Sequence, residues 1–284
     1  MAKRIDGKAI AAQVRAELKT EVAAMIAAGN TPGLAVVVVG DDPASRVYVN
    51  NKKKACAEIG IRSEEIALPA TTTQEELLAC IEELNGREDI HGILCQLPLP
   101  KGLDEKAVIA AIRPDKDVDA FSPVNVGHIL IGDYAFLPCT PAGIMELLHR
   151  NGLSADGKRC VVVGRSNIVG KPMAALLMHD NGTVTVCHTH TRDMKAICRE
   201  ADILVAAVGR AGFVTADMVK PGAVVIDVGM NRDAEGHLCG DVDAASVEPI
   251  AGWLTPVPGG VGPMTVAMLM KNAVTAAKNA VKRQ

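Results

Sequence analysis

The chain has 284 residues and a net charge of −3, room for one large or two medium domains and no basic footprint for nucleic acid. Hydrophobic residues make up 49% and aromatics only 2%, so any core must be aliphatic. No apolar run approaches the roughly 18 residues of a membrane span, and the N-terminus lacks the apolar region and cleavage site of a secretory signal.

The spacing predicts a first helix from Gly7 to Ala28, stopped by Gly29-Asn30-Thr31-Pro32-Gly33. Its Ala-rich amphipathic pattern could mimic a transit peptide, but Glu17 and Glu21 favour a docked helix. Leu34 to Val39 reads as a buried parallel strand. A helix follows over 48–60, which Pro43 and Ser45 can open and Gly60 can close. At about 100° per residue, Tyr48, Lys52, Ala55 and Ile59 fall on one stripe that should face the interior, while Lys53 and Lys54 point elsewhere. An inward lysine must be paired, must reach water along its stem, or must serve chemistry. Spacing alone favours the stem that reaches water.

Ile61 to Leu68 reads as a further strand, and Thr73 followed by Glu76 opens a capped helix to Asn85. His91 to Leu97 is a buried strand running into Gln96-Leu97-Pro98-Leu99-Pro100. This alternation describes a parallel sheet covered by helices, whose ligands collect at the carboxyl ends of the strands. Gln96 sits at such an end, as a ligand contact or as an amide capping the loop. Asp115-Lys116-Asp117-Val118-Asp119 holds three acids in five residues, but no calcium-loop spacing fits and no metal is expected. Thr140 as cap and Pro141 at the first position begin a helix to Asn151, with the domain boundary beside it.

The second half restarts the alternation. Arg159 to Val163 is a strand, and Gly164-Arg165-Ser166-Asn167-Ile168-Val169-Gly170-Lys171-Pro172 turns into a helix to His179. Strands at 183–187, 203–208 and 223–228 and a helix at 192–200 complete a doubly wound pattern. The glycine turn matches neither G-x-G-x-x-G nor a Walker loop. Its place after the first strand is where a dinucleotide pyrophosphate rests on a helix N-terminus. The second strand ends in Cys187-His188-Thr189-His190-Thr191-Arg192, without the acid that an NAD-preferring fold sets there. Hydroxyls and Arg165 favour a 2′-phosphate, hence NADP; the alternative is a polar loop that binds nothing. The eight cysteines form no C-x-x-C pair and suit reduced thiols in a cytosolic protein, and His188-x-His190 has no further ligand nearby. Leu254 to Thr265 is too rich in Pro and Gly for an element interior, so it is either a rigid connection or backbone lying against a ligand. A last helix is expected from Met264 to Val281.

Several ordered motifs then carry a resemblance. They are Tyr48-x-x-x-Lys52 with Lys53-Lys54-Ala55, Gln96-Leu97-Pro98-Leu99-Pro100, Asp115 to Asp119, Pro138-Cys139-Thr140-Pro141, Val163-Gly164-Arg165-Ser166 with Val169-Gly170-Lys171-Pro172, Asp227-Val228-Gly229, and Thr255 to Thr265. Over nearly its whole length the chain resembles the bifunctional methylenetetrahydrofolate dehydrogenase/methenyltetrahydrofolate cyclohydrolase family. The resemblance implies two α/β domains flanking a cleft, a folate-binding catalytic domain over residues 1–139 and a Rossmann-like NADP-binding domain over 140–269. The final helix, 270–284, is expected to pack back on the first domain. It implies oxidation of methylenetetrahydrofolate with NADP and hydrolysis of the methenyl product, in a cytoplasmic homodimer with no nucleic-acid or membrane partner. By the same resemblance Lys52 is the central catalytic residue, supported by Tyr48 and Gln96, with Asp119 on the pterin. Leu97, Pro258, Gly259 and Gly260 would line the folate pocket, and Gly164, Arg165, Ser166, Thr189 and Met230 would bind NADP.

Four residues depart from the family pattern. Ala120 and Ser122 stand where Gly and His are common, Met230 where Ile is usual, and Thr189 replaces Ser while keeping the hydroxyl. None removes a proposed catalytic group. Two other readings compete: a dehydrogenase that has lost hydrolysis, and a non-catalytic NADP-binding regulator. The second leaves the inward Lys52 and the Pro258 loop without a purpose.

Overall fold

The computed structural model describes residues 1–233 and 235–282. The first half runs β1 (Lys3–Arg4), α1 (Gly7–Ala27), β2 (Gly33–Val39), α2 (Pro43–Ile59), β3 (Arg62–Leu68), α3 (Gln74–Gly86), β4 (Gly92–Cys95), α4 (Glu105–Ala111) and α5 (Pro123–Ile131). The second runs α6 (Cys139–Arg150), β5 (Arg159–Val163), α7 (Gly170–His179), β6 (Thr183–Cys187), α8 (Met194–Cys198), β7 (Ile203–Ala206), β8 (Val224–Asp227), β9 (Asn231–Arg232), β10 (Leu238–Cys239), α9 (Ala244–Val247), β11 (Trp253–Leu254) and α10 (Val261–Val281). These elements form two compact units. One holds Ala12–Leu137 with the chain from Val266 onward, the other Met1–Ala11 with Pro138–Thr265.

The unit around residues 12–137 is organised on a three-stranded parallel sheet in the order β3-β2-β4. Its centre is β2, all seven residues of which are buried, because a run of valines with a strand on either side can satisfy its backbone only in the ladder. Ala35, Val37, Leu77, Ile81, Ile93 and Val108 build an aliphatic core on one face. The capping box at Thr73 and Glu76 forms as expected. Helices α4 and α5 were not anticipated. Each is short and opens on its own cap, Asp104 and Ser122. On α10, Asn272 donates its amide to the carbonyls of Val118 and Leu137, both at 2.8 Å.

The other unit carries a six-stranded parallel sheet in the order β1-β11-β8-β7-β5-β6. Val161, Val163, Leu204, Val225 and Leu254 fill its core. This is a Rossmann-like doubly wound sheet. Strand β6 lies on one side of β5 and β7 on the other, which places the switch point at β5 and β7.

Four boundaries differ from the sequence reading. Strands β1 and β11 have two residues each and pair with one another, so Met1–Ala11 groups with 138–265 rather than with the first half of the chain. Two residues are too few to show a period. Helix α6 begins at Cys139 and its cap position is Pro138; the Thr140 hydroxyl meets that of Thr265 at 3.2 Å instead of capping the helix. Helix α10 begins at Val261, because Pro263 falls in a first turn whose N–H groups have no intrahelical acceptor. Helix α8 keeps only Met194–Cys198 of the expected nine residues from Arg192 to Glu200.

Candidate active site

Helix α2 carries Lys52. Asp42 caps it by accepting from the Ser45 N–H at 2.8 Å, Pro43 starts it, and Gly60 ends it at φ 91°. Ser45, Val49, Cys56 and Ile59 are buried, and Lys52 lies on that seam, half-buried. Lys53 and Lys54 are exposed. Tyr48 departs from the expectation: it is 44% exposed, and Val49 takes the interior position of its turn. The seam runs i, i+4, i+7 from Ser45, which turns Tyr48 to its flank.

The Lys52 ammonium donates to the Gln96 side-chain oxygen at 2.8 Å. Gln96 leaves the end of β4, where its own N–H donates to the Val37 carbonyl at 2.8 Å. Its amide nitrogen donates to the Leu97 carbonyl at 2.6 Å, which fixes the oxygen toward the lysine. Asp119 completes the cluster. Burial pushes its carboxyl up to about 6, opposed by the positive charge of Lys52 and reinforced by the negative charge of Asp117. Lys52, Gln96 and Asp119 are therefore brought together from α2, the end of β4 and the loop before α5. Cys56 and Cys95 lie nearby, and burial pushes these thiols up to about 11 and about 12, so neither is a nucleophile at neutral pH.

The loop that carries Asp119 is braced from inside. Asp117 is buried and accepts from the Ser122 N–H at 2.8 Å and the Asn125 amide at 2.9 Å. The Ile93 N–H donates to the Lys116 carbonyl at 2.8 Å, tying the segment to β4. Ala120 sits at φ 57°, the left-handed region that favours glycine. The Ser122 hydroxyl accepts from the Asn125 N–H at 3.2 Å. Sequence reading singled out Asp119 and missed Asp117 and Asn125; alternating acids around Val118 were the only signal.

In the other unit, Pro258 is exposed, Gly259 sits at φ 105°, and Gly260 is buried. The Lys8 N–H donates to the Gly259 carbonyl at 3.0 Å. A Cβ on Gly7 would come within 1.8 Å of the Gly260 carbonyl oxygen, so only glycine permits this approach.

The turn after β5 fits a dinucleotide. Gly164 has φ 128°, and a Cβ there would lie 2.1 Å from the Ala207 carbonyl oxygen, at the switch point between β5 and β7. The Ser166 hydroxyl accepts from the N–H groups of Val169 and Gly170 at 3.2 and 3.4 Å, steering the chain into α7. The bare turn opens on a helix N-terminus, the arrangement that receives a diphosphate. Arg165 and Ser166 are exposed beside it, and Thr189 is exposed at the end of β6. Met230, 49% exposed, follows β8.

A parallel sheet with this turn at its switch point, in one chain with a lysine–amide–carboxylate cluster, defines a dinucleotide-dependent enzyme. Models of the tetrahydrofolate dehydrogenase/cyclohydrolase catalytic domain and NAD(P)-binding domain match residues 5–119 and 138–281. The chain belongs to the tetrahydrofolate dehydrogenase/cyclohydrolase family. It is 61% identical over 274 residues to the bifunctional protein FolD of Moorella thermoacetica, covering 96% of this chain and 98% of that one. The crystal structure of the bifunctional FolD enzyme from Campylobacter jejuni matches with a TM-score of 0.97 at 46% identity, over 98% of this chain and 99% of that one. The Trypanosoma brucei dehydrogenase–cyclohydrolase, solved with NADP cofactor and inhibitor, matches with a TM-score of 0.94 at 43% identity, over 99% of each chain.

Proposed function

We infer that this chain is a bifunctional enzyme of one-carbon folate metabolism. It is a methylenetetrahydrofolate dehydrogenase that uses NADP, and a methenyltetrahydrofolate cyclohydrolase. It oxidises 5,10-methylenetetrahydrofolate to the 5,10-methenyl compound and hydrolyses that to 10-formyltetrahydrofolate. When bound, NADP takes up the hydride. The family membership over both halves of the chain supports both activities.

The residue roles are those the family resemblance implies, supported at Lys52 by geometry. Lys52 moves the protons of the hydrolytic step, and its 2.8 Å bond to Gln96 carries this assignment. A neutral amide aims the amine, while the opposite charge beside it comes from the Asp119 carboxyl. Asp119 holds the pterin, and Tyr48, on the flank of α2, covers the substrate. Leu97, just past the end of β4, lines the folate pocket. Gly164 and Ser166 receive the diphosphate, Arg165 and Thr189 the 2′-phosphate, and Met230 the nicotinamide end. Folate binding is assigned to the unit around 12–137 and NADP binding to the unit around 138–265.

A homodimer is proposed through β6, the outermost strand of its sheet on that side, which exposes Thr183 and Thr185. Light scattering should give about twice 29.7 kDa, and a fully active monomer would reject it. The scattered cysteines support a reducing, cytoplasmic setting. Among the described residues no helix is long and apolar enough to cross a membrane, and no group of three His, Cys, Asp or Glu could hold a metal ion.

The experiment is to supply each substrate alone. Methylenetetrahydrofolate with NADP should give NADPH, and methenyltetrahydrofolate without any nucleotide should be hydrolysed. If only the first reaction occurs, the protein is a dehydrogenase alone.

A further inference from the structure

We propose that Asp241 is a positioning residue for the nicotinamide half of NADP, acting through the loops that follow β7 and β8. This rests on the NADP reading above. In a doubly wound sheet the diphosphate rests at the turn after the first strand, here β5. Strand β6, with Thr189, lies on one side of β5, and β7 and β8 lie on the other. With the 2′-phosphate on the β6 side, the nicotinamide half extends over the ends of β7 and β8.

Those ends are held by one carboxylate. Asp241 is fully buried. One of its oxygens accepts from the N–H groups of Val208 and Gly209 at 2.6 and 3.0 Å. The other accepts from the Arg210 N–H at 2.8 Å and from the Asn231 amide at 2.9 Å. Three consecutive N–H groups of the β7 loop thus wrap an internal anion, as such nests wrap phosphates elsewhere. Through Asn231 the same carboxylate ties down the segment beside Met230. The loop it braces begins at Ala207, whose carbonyl oxygen is the atom that a Cβ on Gly164 would strike.

Asp241 is in turn fixed by β8. The Asp227 carboxylate accepts from the N–H groups of Gly229, Asp241 and Val242 at 2.9, 2.8 and 3.0 Å. A Cβ on Gly240 would lie 1.7 Å from an Asp227 oxygen, so the backbone approaches as closely as glycine allows. The result is a rigid path from the end of β8 to the two loops.

Asp241→Asn tests this, because both oxygens face donors and an amide NH₂ must oppose an N–H in either orientation. Calorimetry should find NADP bound about 10-fold or more weakly. Binding of 2′,5′-ADP, which carries only the adenine half and the 2′-phosphate, should change by less than about twofold. Unchanged NADP affinity, or parallel loss of both ligands, would overturn the proposal. If that variant does not fold, Asn231→Ala removes one tie and should weaken NADP about 2- to 5-fold with 2′,5′-ADP unaffected. For this variant too, equal effects or none refute the role.

Discussion

The cluster beyond β4 and the turn beyond β5 both stand at carboxyl ends of parallel strands, yet they use different parts of the chain. The first is made of side chains from three segments: an amine held to an amide, with a carboxyl near enough to feel the amine's charge. The second is made of backbone: a Cβ on Gly164 would strike the Ala207 carbonyl and one on Gly170 the Gly164 carbonyl, and a buried carboxylate holds the next loop by its N–H groups. The difference suits the two tasks proposed for these sites. Moving protons needs groups whose charge can change near neutrality. Holding a dinucleotide for hydride transfer needs fixed shape and oriented dipoles.

Perturbing each site should therefore fail in a different way. The largest effect belongs to Lys52→Met, which keeps the stem and removes the amine. Hydrolysis of methenyltetrahydrofolate, followed by loss of its absorbance, should fall about 10²–10⁴-fold while the protein still folds. Gly164→Ala comes next, since its Cβ would lie 2.1 Å from the Ala207 oxygen and its φ is 128°. Backbone strain of about 1–3 kcal/mol should weaken NADP on the order of 10-fold, measured by calorimetry, and leave methenyl hydrolysis in place. A loss of hydrolysis equal to the loss of binding would erase the contrast.

Arg165→Ala should be more selective than either. It should raise the Michaelis constant about 10-fold for NADP and much less for NAD, because only NADP offers a 2′-phosphate. Equal changes would remove Arg165 from that role. Asp119→Asn is read in stability. Burial holds this carboxyl at about 6, above the ordinary value of about 3.9, so the folded state binds its proton more tightly than the unfolded chain. The cost of ionising it is absent below the unfolded value and grows until the pH passes about 6. Denaturant unfolding should show the variant more stable by on the order of 1–3 kcal/mol at pH 8 and nearly unchanged at pH 3.5. The reverse order would mean the charged form is the one the fold favours. The smallest effect is expected of Lys53→Met. Its ammonium pairs with Glu65 at 2.8 Å on an exposed surface, worth about 0–1 kcal/mol, and both activities should match the parent.

How much could be read beforehand follows the same division. The helical phase of Lys52 against Lys53 and Lys54 was visible, as was the glycine turn after β5, because each rests on a short local period. Lys52 does sit on the buried seam, and both sheets are parallel as the alternation implied. Tyr48 was misplaced because the seam passes through Val49, a difference of one residue in phase. What stayed hidden was long-range or carried by backbone. The pairing of β1 with β11 joins Lys3 to Trp253. The close approach of Gly7 to Gly260 and the grip of Asp241 on Val208 and Gly209 leave no period in the sequence. Asp117 looked like one of three equivalent acids, and only its buried bonds to Ser122 and Asn125 separate its role from that of Asp119.

The division between the two sites is tested most directly by one progress curve. Lys52→Met is mixed with methylenetetrahydrofolate and NADP, and NADPH and the methenyl compound are followed together. NADPH should still form and the methenyl compound accumulate beside it, because hydride transfer persists while hydrolysis does not. If the variant folds and clears the methenyl compound at the parent rate, the role given to Lys52 is contradicted.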